Sequence, residues 1–200
     1  MKNNLKIILV SMLALLLSVI PISAQTTPQT HDEFVQAGKE AAAKGDYNAA
    51  VKWYSKAIEV RPDNYEIIMA RAGSYYFVKK YDAAIKDMDV VLGVYPQNIT
   101  ALHFRGGLHN IKKDWKKSVK DAEAILKIDP NSAKGYQVRG TAYAMQKKYQ
   151  EAESDLTKSI QLDPKDPVGY IMRAAVYEEQ GMAAKSQADK LKAEQLQGGQ

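Results

Sequence analysis

From His31 onward, apolar and small residues recur at i, i+3, i+4 and i+7 in short runs. That is the period of a helix with one buried face. Each run stops at a turn signal. In the clearest stretch the spacing predicts one helix over about Tyr65–Val78 and a second over about Tyr81–Val94. In the second, Tyr81, Ala84, Ile85, Met88, Val91 and Leu92 fall on one stripe. The segments AIEVRP, VLGVYP, ILKIDP and SIQLDP end at Pro62, Pro96, Pro130 and Pro164, a constant spacing of 34 residues. Each is an apolar helix end followed by a residue that cannot continue a helix. A fixed period of this size indicates stacked repeats. Helices this short are marginal alone and persist by burying their faces on neighbouring units.

Counted from His31, the units are 31–64, 65–98, 99–132, 133–166 and 167–200. Position 8 of each unit is small: Gly38, Ala72, Gly106, Gly140 and Ala174. Glycine in mid-helix costs about 1 kcal/mol against alanine, so its recurrence implies close helix approach. Position 20 is also small (Ala50, Ala84, Ser118, Ala152, Ser186), and position 17 is a ring in four units: Tyr47, Tyr81, Trp115 and Tyr149. Rings opposite small residues are expected to interlock the helices. The fifth unit has Gly198 in place of the proline, and its second helix sets Ser186, Lys190 and Glu194 where apolar residues normally pack. It reads as a degenerate capping unit with a polar outer face.

A charge ladder runs through units two to five. Position 7 holds Arg71, Arg105, Arg139 and Arg173, and position 23 holds Asp87, Asp121, Asp155 and Asp189. Unit one loses both together, with Ala37 and Trp53. Pairing within a unit leaves no charge over, whereas pairing with the next unit strands Arg71 and Asp189. The expectation is therefore a structural ion pair joining the two helices of each unit, with the planar guanidinium meeting its carboxylate bidentately.

These residues resemble the tetratricopeptide repeat (TPR) family. The matches include Gly38, Gly45-Asp46-Tyr47, Ala50, Tyr54, Ala57 and Pro62 in the first unit and Gly140, Tyr143, Tyr149, Ala152 and Pro164 in the fourth. The resemblance implies an all-α solenoid of helical hairpins wound as a right-handed superhelix. Its concave groove, lined by the first helix of each unit, binds a peptide or helix of a partner protein. By that geometry the groove residues are Val35, Lys39, Met69, Tyr76, Phe77, His103, Asn110, Ile111, Gln137, Met145 and Ile171. Tyr76 and Phe77 fit either the groove or the packing between repeats. Members that clamp a terminal carboxylate carry a Lys/Asn/Arg set. The corresponding positions here are Val35, Lys39, Ala70, Thr100 and Phe104, which argues against that function.

Composition narrows the picture further. With 28 Lys and Arg against 23 Asp and Glu the net charge is +5. Without Lys2 and Lys6 it is +3, too little and too dispersed for a dedicated nucleic-acid binder. Local charge is more informative. Lys79-Lys80, Lys112-Lys113 and Lys147-Lys148 occupy the turns inside the units, and Asp63, Asp129, Asp163 and Asp166 the proline turns. One edge is expected to be basic, serving solubility or docking to an anionic surface such as lipid headgroups or an acidic partner.

Residues 1–24 read as a secretory signal: Lys2 and Lys6, an apolar run from Ile7 to Ile20, then Pro21 and a small residue, Ala24, before Gln25. The apolar run is too short for a membrane span, so the mature form is expected to lack one. Residues 25–30 form a polar linker. The chain contains no cysteine, so disulfides and a lipid-modified cysteine are excluded. His31, His103 and His109 lack metal-ligand spacing, and no glycine-rich phosphate loop or nucleophile arrangement is present. The reading is a non-enzymatic interaction scaffold without cofactors, exported to the periplasm or beyond. A chaperone-like factor holding exported clients is the alternative.

Overall fold

The computed structural model describes residues 29–198. The expected signal segment lies outside the described residues. Among those described there are ten helices and no strands: α1 His31–Ala43, α2 Tyr47–Val60, α3 Tyr65–Phe77, α4 Tyr81–Val94, α5 Ile99–Ile111, α6 Trp115–Ile128, α7 Ala133–Met145, α8 Tyr149–Leu162, α9 Pro167–Glu179 and α10 Ala183–Gly198. No helix is long and apolar enough to cross a membrane among the described residues.

The same local chemistry starts each hairpin. The last residue of one unit caps the first helix of the next, with side chains of Asn64, Asn98, Ser132 and Asp166 accepting from the backbone N–H of Ile67, Ala101, Gly135 and Val168. Thr30 does this for α1 in a reciprocal capping box with Glu33. Arg61, Tyr95, Asp129 and Asp163 end the second helices just before the prolines.

Each helix packs on its neighbours in sequence, and the first helices α5 and α7 also touch directly. The core is a continuous filling between hairpins. Its largest cluster gathers Ile68, Met88, Val91 and Leu92 with Leu102, Leu108 and Ile125 of the following unit. Unit one replaces the ion pair with aromatic packing: Phe34 stacks on Trp53 at 6.1 Å, and the Lys56 ammonium lies over both rings.

Tyr81 and Tyr149 pack against clusters that contain Ala84 and Ala152, but at the glycines of position 8 the close neighbour is not the ring at position 17. A Cβ added at Gly38 would come within 2.5 Å of Tyr54, and one at Gly140 within 2.9 Å of Leu156, both at position 24. Tyr47 instead stacks on Phe77 of the next unit, at 4.1 Å and 11°. Position 17 opens the second helix, away from the mid-helix crossing where glycine is needed, so its ring closes the gap between units. In the last unit Ser186 is buried, whereas Lys190 and Glu194 are exposed, so its polar face begins beyond the first turn of α10.

Candidate functional site

Two sets of side chains carry the functional question, and they occupy opposite faces of the first helices. The inner face holds the ladder. Arg71, Arg105, Arg139 and Arg173 each donate from Nε and Nη2 to the two oxygens of Asp87, Asp121, Asp155 and Asp189 within the same unit, at 2.6–2.9 Å. The aspartates are buried, and the bonds to them hold each guanidinium's pKa above its ordinary value. Three of the arginines do more. Their Nη1 reaches back one unit, to Ser55 Oγ at 3.1 Å, Asp89 Oδ1 at 2.6 Å and Thr157 Oγ1 at 3.0 Å. The ladder therefore ties hairpins together as well as closing them. These residues are occupied with one another.

The outer face of α3, α5, α7 and α9 forms a recess of about 450 Å³. Tyr76, Phe104, Ile111, Met145, Val168 and Met172 supply its apolar wall, and Gly107 and Thr141 its small positions. A Cβ added at Gly107 would meet nothing within 4 Å, so this glycine leaves the groove open where its neighbour Gly106 lets helices touch. Polar groups cross the recess in a line. His103 Nε2 lies 3.4 Å from Gln137 Oε1, and Gln137 Nε2 donates to Asp166 Oδ2 at 2.8 Å. Burial pushes the His103 pKa down, so the neutral ring donates to the amide. Asn110, 6% exposed, donates to the Val138 carbonyl at 3.2 Å, and its Oδ1 has no partner among the described residues.

Six of the residues expected in the groove thus meet in one recess: Tyr76, His103, Asn110, Ile111, Gln137 and Met145. Ile171 is exposed on α9 but does not line it, Val35 and Lys39 stand apart on α1, and Met69 packs against the core from α3. Phe77 stacks on Tyr47 at the rim. Sequence reasoning missed Phe104, Val168 and Met172. Phe104 enters it only as a failed clamp position, although a ring at position 6 on the same helix as His103 signals the wall. Asp166 enters it only as edge charge.

The six turn lysines are all exposed. Lys112 pairs with Asp82, and Lys148 lies over the Tyr143 ring. The described residues contain no group of histidine, cysteine, aspartate and glutamate able to hold a metal ion.

Stacked two-helix units with an apolar outer groove define a solenoid built for contact. Residues 133–166 match the tetratricopeptide repeat model and residues 38–76 the TPR repeat model. The fold recurs in a tetratricopeptide repeat protein from Parabacteroides merdae ATCC 43184, with 23% identity, a TM-score of 0.74, and coverage of 83% of this chain and 65% of that one. A thermophilic TPR protein of Thermus thermophilus is 16% identical at a TM-score of 0.71, covering 82% and 90%. MamA from Desulfovibrio magneticus RS-1 is 16% identical at 0.69, covering 86% and 98%. No curated protein matches the chain.

Proposed function

We propose that this protein is an interaction scaffold that holds a segment of a partner protein in the recess across α3, α5, α7 and α9, on the exported side of the cell envelope. The observation that carries the reading is the recess itself, in which apolar side chains from four successive first helices converge around a few polar groups. Such a surface suits an amphipathic or extended segment anchored by apolar residues. The polar line from His103 through Gln137 to Asp166 gives the segment a preferred register. Met145 and Met172 add adaptability, which favours a client-holding role as the second reading. Export rests on the Lys2 and Lys6 charges and the apolar run before Ala24. A mature protein beginning at Gln25 is expected, and retention of Met1 would remove that part.

The test is a photo-crosslinking amino acid placed in cells at Tyr76 or Met145, with Asp63 on the proline edge as control. A scaffold gives one discrete adduct from the recess positions and none from Asp63. A ladder of many adducts supports client holding. Equal labelling from all three positions contradicts a groove function.

A further inference from the structure

The lysine turns share an unusual backbone. In every unit the first helix ends with the same pair of bonds. For the second unit Lys79 N–H donates to the Tyr76 carbonyl and Lys80 N–H to that of Tyr75. This closure requires a left-handed residue, normally glycine. The terminal units use Gly45 and Gly181, at φ +77° and +72°. The three central units use Lys79, Lys113 and Lys147, at φ 59°, 61° and 60°. A side chain in that conformation is strained, and a lysine gains nothing inside the fold here. None of the three forms an ion pair among the described residues. A local rule broken three times in register, with no internal return, points to selection for what the side chain presents outward.

Apolar groups accompany the charge. Phe77, Ile111 and Met145, two residues before each strained lysine, are 57%, 44% and 54% exposed. Between the third and fourth turns Lys113, Lys116, Lys117, Lys120 and Lys148 outnumber Asp114 and Glu123 around Trp115 and Tyr143 in a recess of about 1030 Å³. The opposite edge also exposes apolar side chains: Val60 lies between Glu59 and Arg61, and Val94 and Tyr95 lie in a turn without charge, while Asp63, Asp129 and Asp163 occupy the other proline turns. Apolar exposure is thus common to both edges; the proline edge sets it among charges of both signs, Arg61 and Lys165 included, whereas the turn edge repeats a lysine pair at three successive units.

We infer that the turn edge docks on an anionic phospholipid bilayer, with the lysines at the headgroups and Phe77, Ile111 and Met145 at the acyl boundary. The repeat of one apolar side chain with two lysines at each step matches a continuous charged plane with an apolar interior. An acidic polypeptide would satisfy the lysines but not the apolar row. Ile111 and Met145 also border the recess of the groove reading, whereas Phe77 and the strained lysines lie outside it and carry the distinction between the two surfaces.

The test uses the full chain with vesicles of phosphatidylglycerol and phosphatidylcholine, or phosphatidylcholine alone. The first measurement is amine acetylation read by mass spectrometry, which reports each lysine whatever the N-terminal segment does. Lys79, Lys113 and Lys147 are expected to be protected by the anionic vesicles and not by the neutral ones. The second is partitioning of the triple variant Lys79→Gly, Lys113→Gly and Lys147→Gly, which relieves backbone strain and so keeps the fold. Its anionic-specific partitioning should fall on the order of 100-fold. Unprotected turn lysines, unchanged partitioning of the variant, or protection by soluble polyglutamate but not by vesicles would each overturn the inference.

Discussion

Gly106 and Gly107 are adjacent in α5, yet their missing side chains serve opposite faces. A Cβ on Gly106 would lie 2.8 Å from Val138 Cγ1 and 3.4 Å from Asp121 Cβ, whereas one on Gly107 would lie in open space. The first glycine lets two hairpins touch; the second keeps a surface clear. The comparison extends along the whole helix. On the inner side Arg105 is satisfied by Asp121 and Asp89, and nothing is left over for a ligand. On the outer side Ile111 is exposed. The packed face and the face proposed for recognition are thus separated by a rotation about one helix axis, and substitutions should separate their effects too.

The largest expected effect is on the inner face. Gly106→Val forces a branched side chain into Val138 and should destabilise by about 3 kcal/mol in urea unfolding. A loss below about 0.5 kcal/mol would mean the hairpins are not in close contact there. Next comes Arg105→Ala, which leaves the buried Asp121 carboxylate without its partner and should cost about 2 kcal/mol. If it instead abolished partner capture at unchanged thermal stability, the ladder would belong to recognition and the division of faces would fail.

A smaller change runs the other way. Lys113→Gly removes the left-handed strain and should stabilise by about 1 kcal/mol. A destabilisation would show that the lysine packs inside the fold. The pH response is expected to be weaker still. Burial lowers the pKa of His103 and His109 below 6.5. The unfolded chain then binds more protons over the window from 6.5 down to the folded values, so stability falls as pH drops through that window and is constant above it. His103→Gln should shrink the slope in urea midpoints between about pH 7 and pH 5, with His109 supplying the remainder. An unaltered slope would place His103 in contact with water.

Much of this architecture is written in the chain. The 34-residue spacing places the second hairpin within one residue of the observed Tyr65–Phe77 and Tyr81–Val94. The joint loss of Arg and Asp in unit one points to partners in the same hairpin, because matching charges one to one needs no coordinates. What stays hidden depends on direction in space. The third bond of three arginines goes back sixteen residues, to Ser55, Asp89 or Thr157, and mixed polar types at that position give no periodic signal. In the central turns lysine conceals the left-handed backbone that Gly45 and Gly181 advertise. The recess is only partly legible, since Phe104 and Met172 follow the same helical period as core residues, and periodicity cannot say which face of a helix stays uncovered.

The most direct test of the division is Gly107→Leu, because it projects a side chain into the groove from a position whose Cβ would lie in open space. A peptide selected on the wild-type protein from a random library would be titrated against both forms, with thermal unfolding run alongside. The account predicts at least roughly a tenfold loss of peptide affinity and a fold as stable as before, or more stable by up to about 1 kcal/mol. Undiminished affinity at unchanged stability would contradict it.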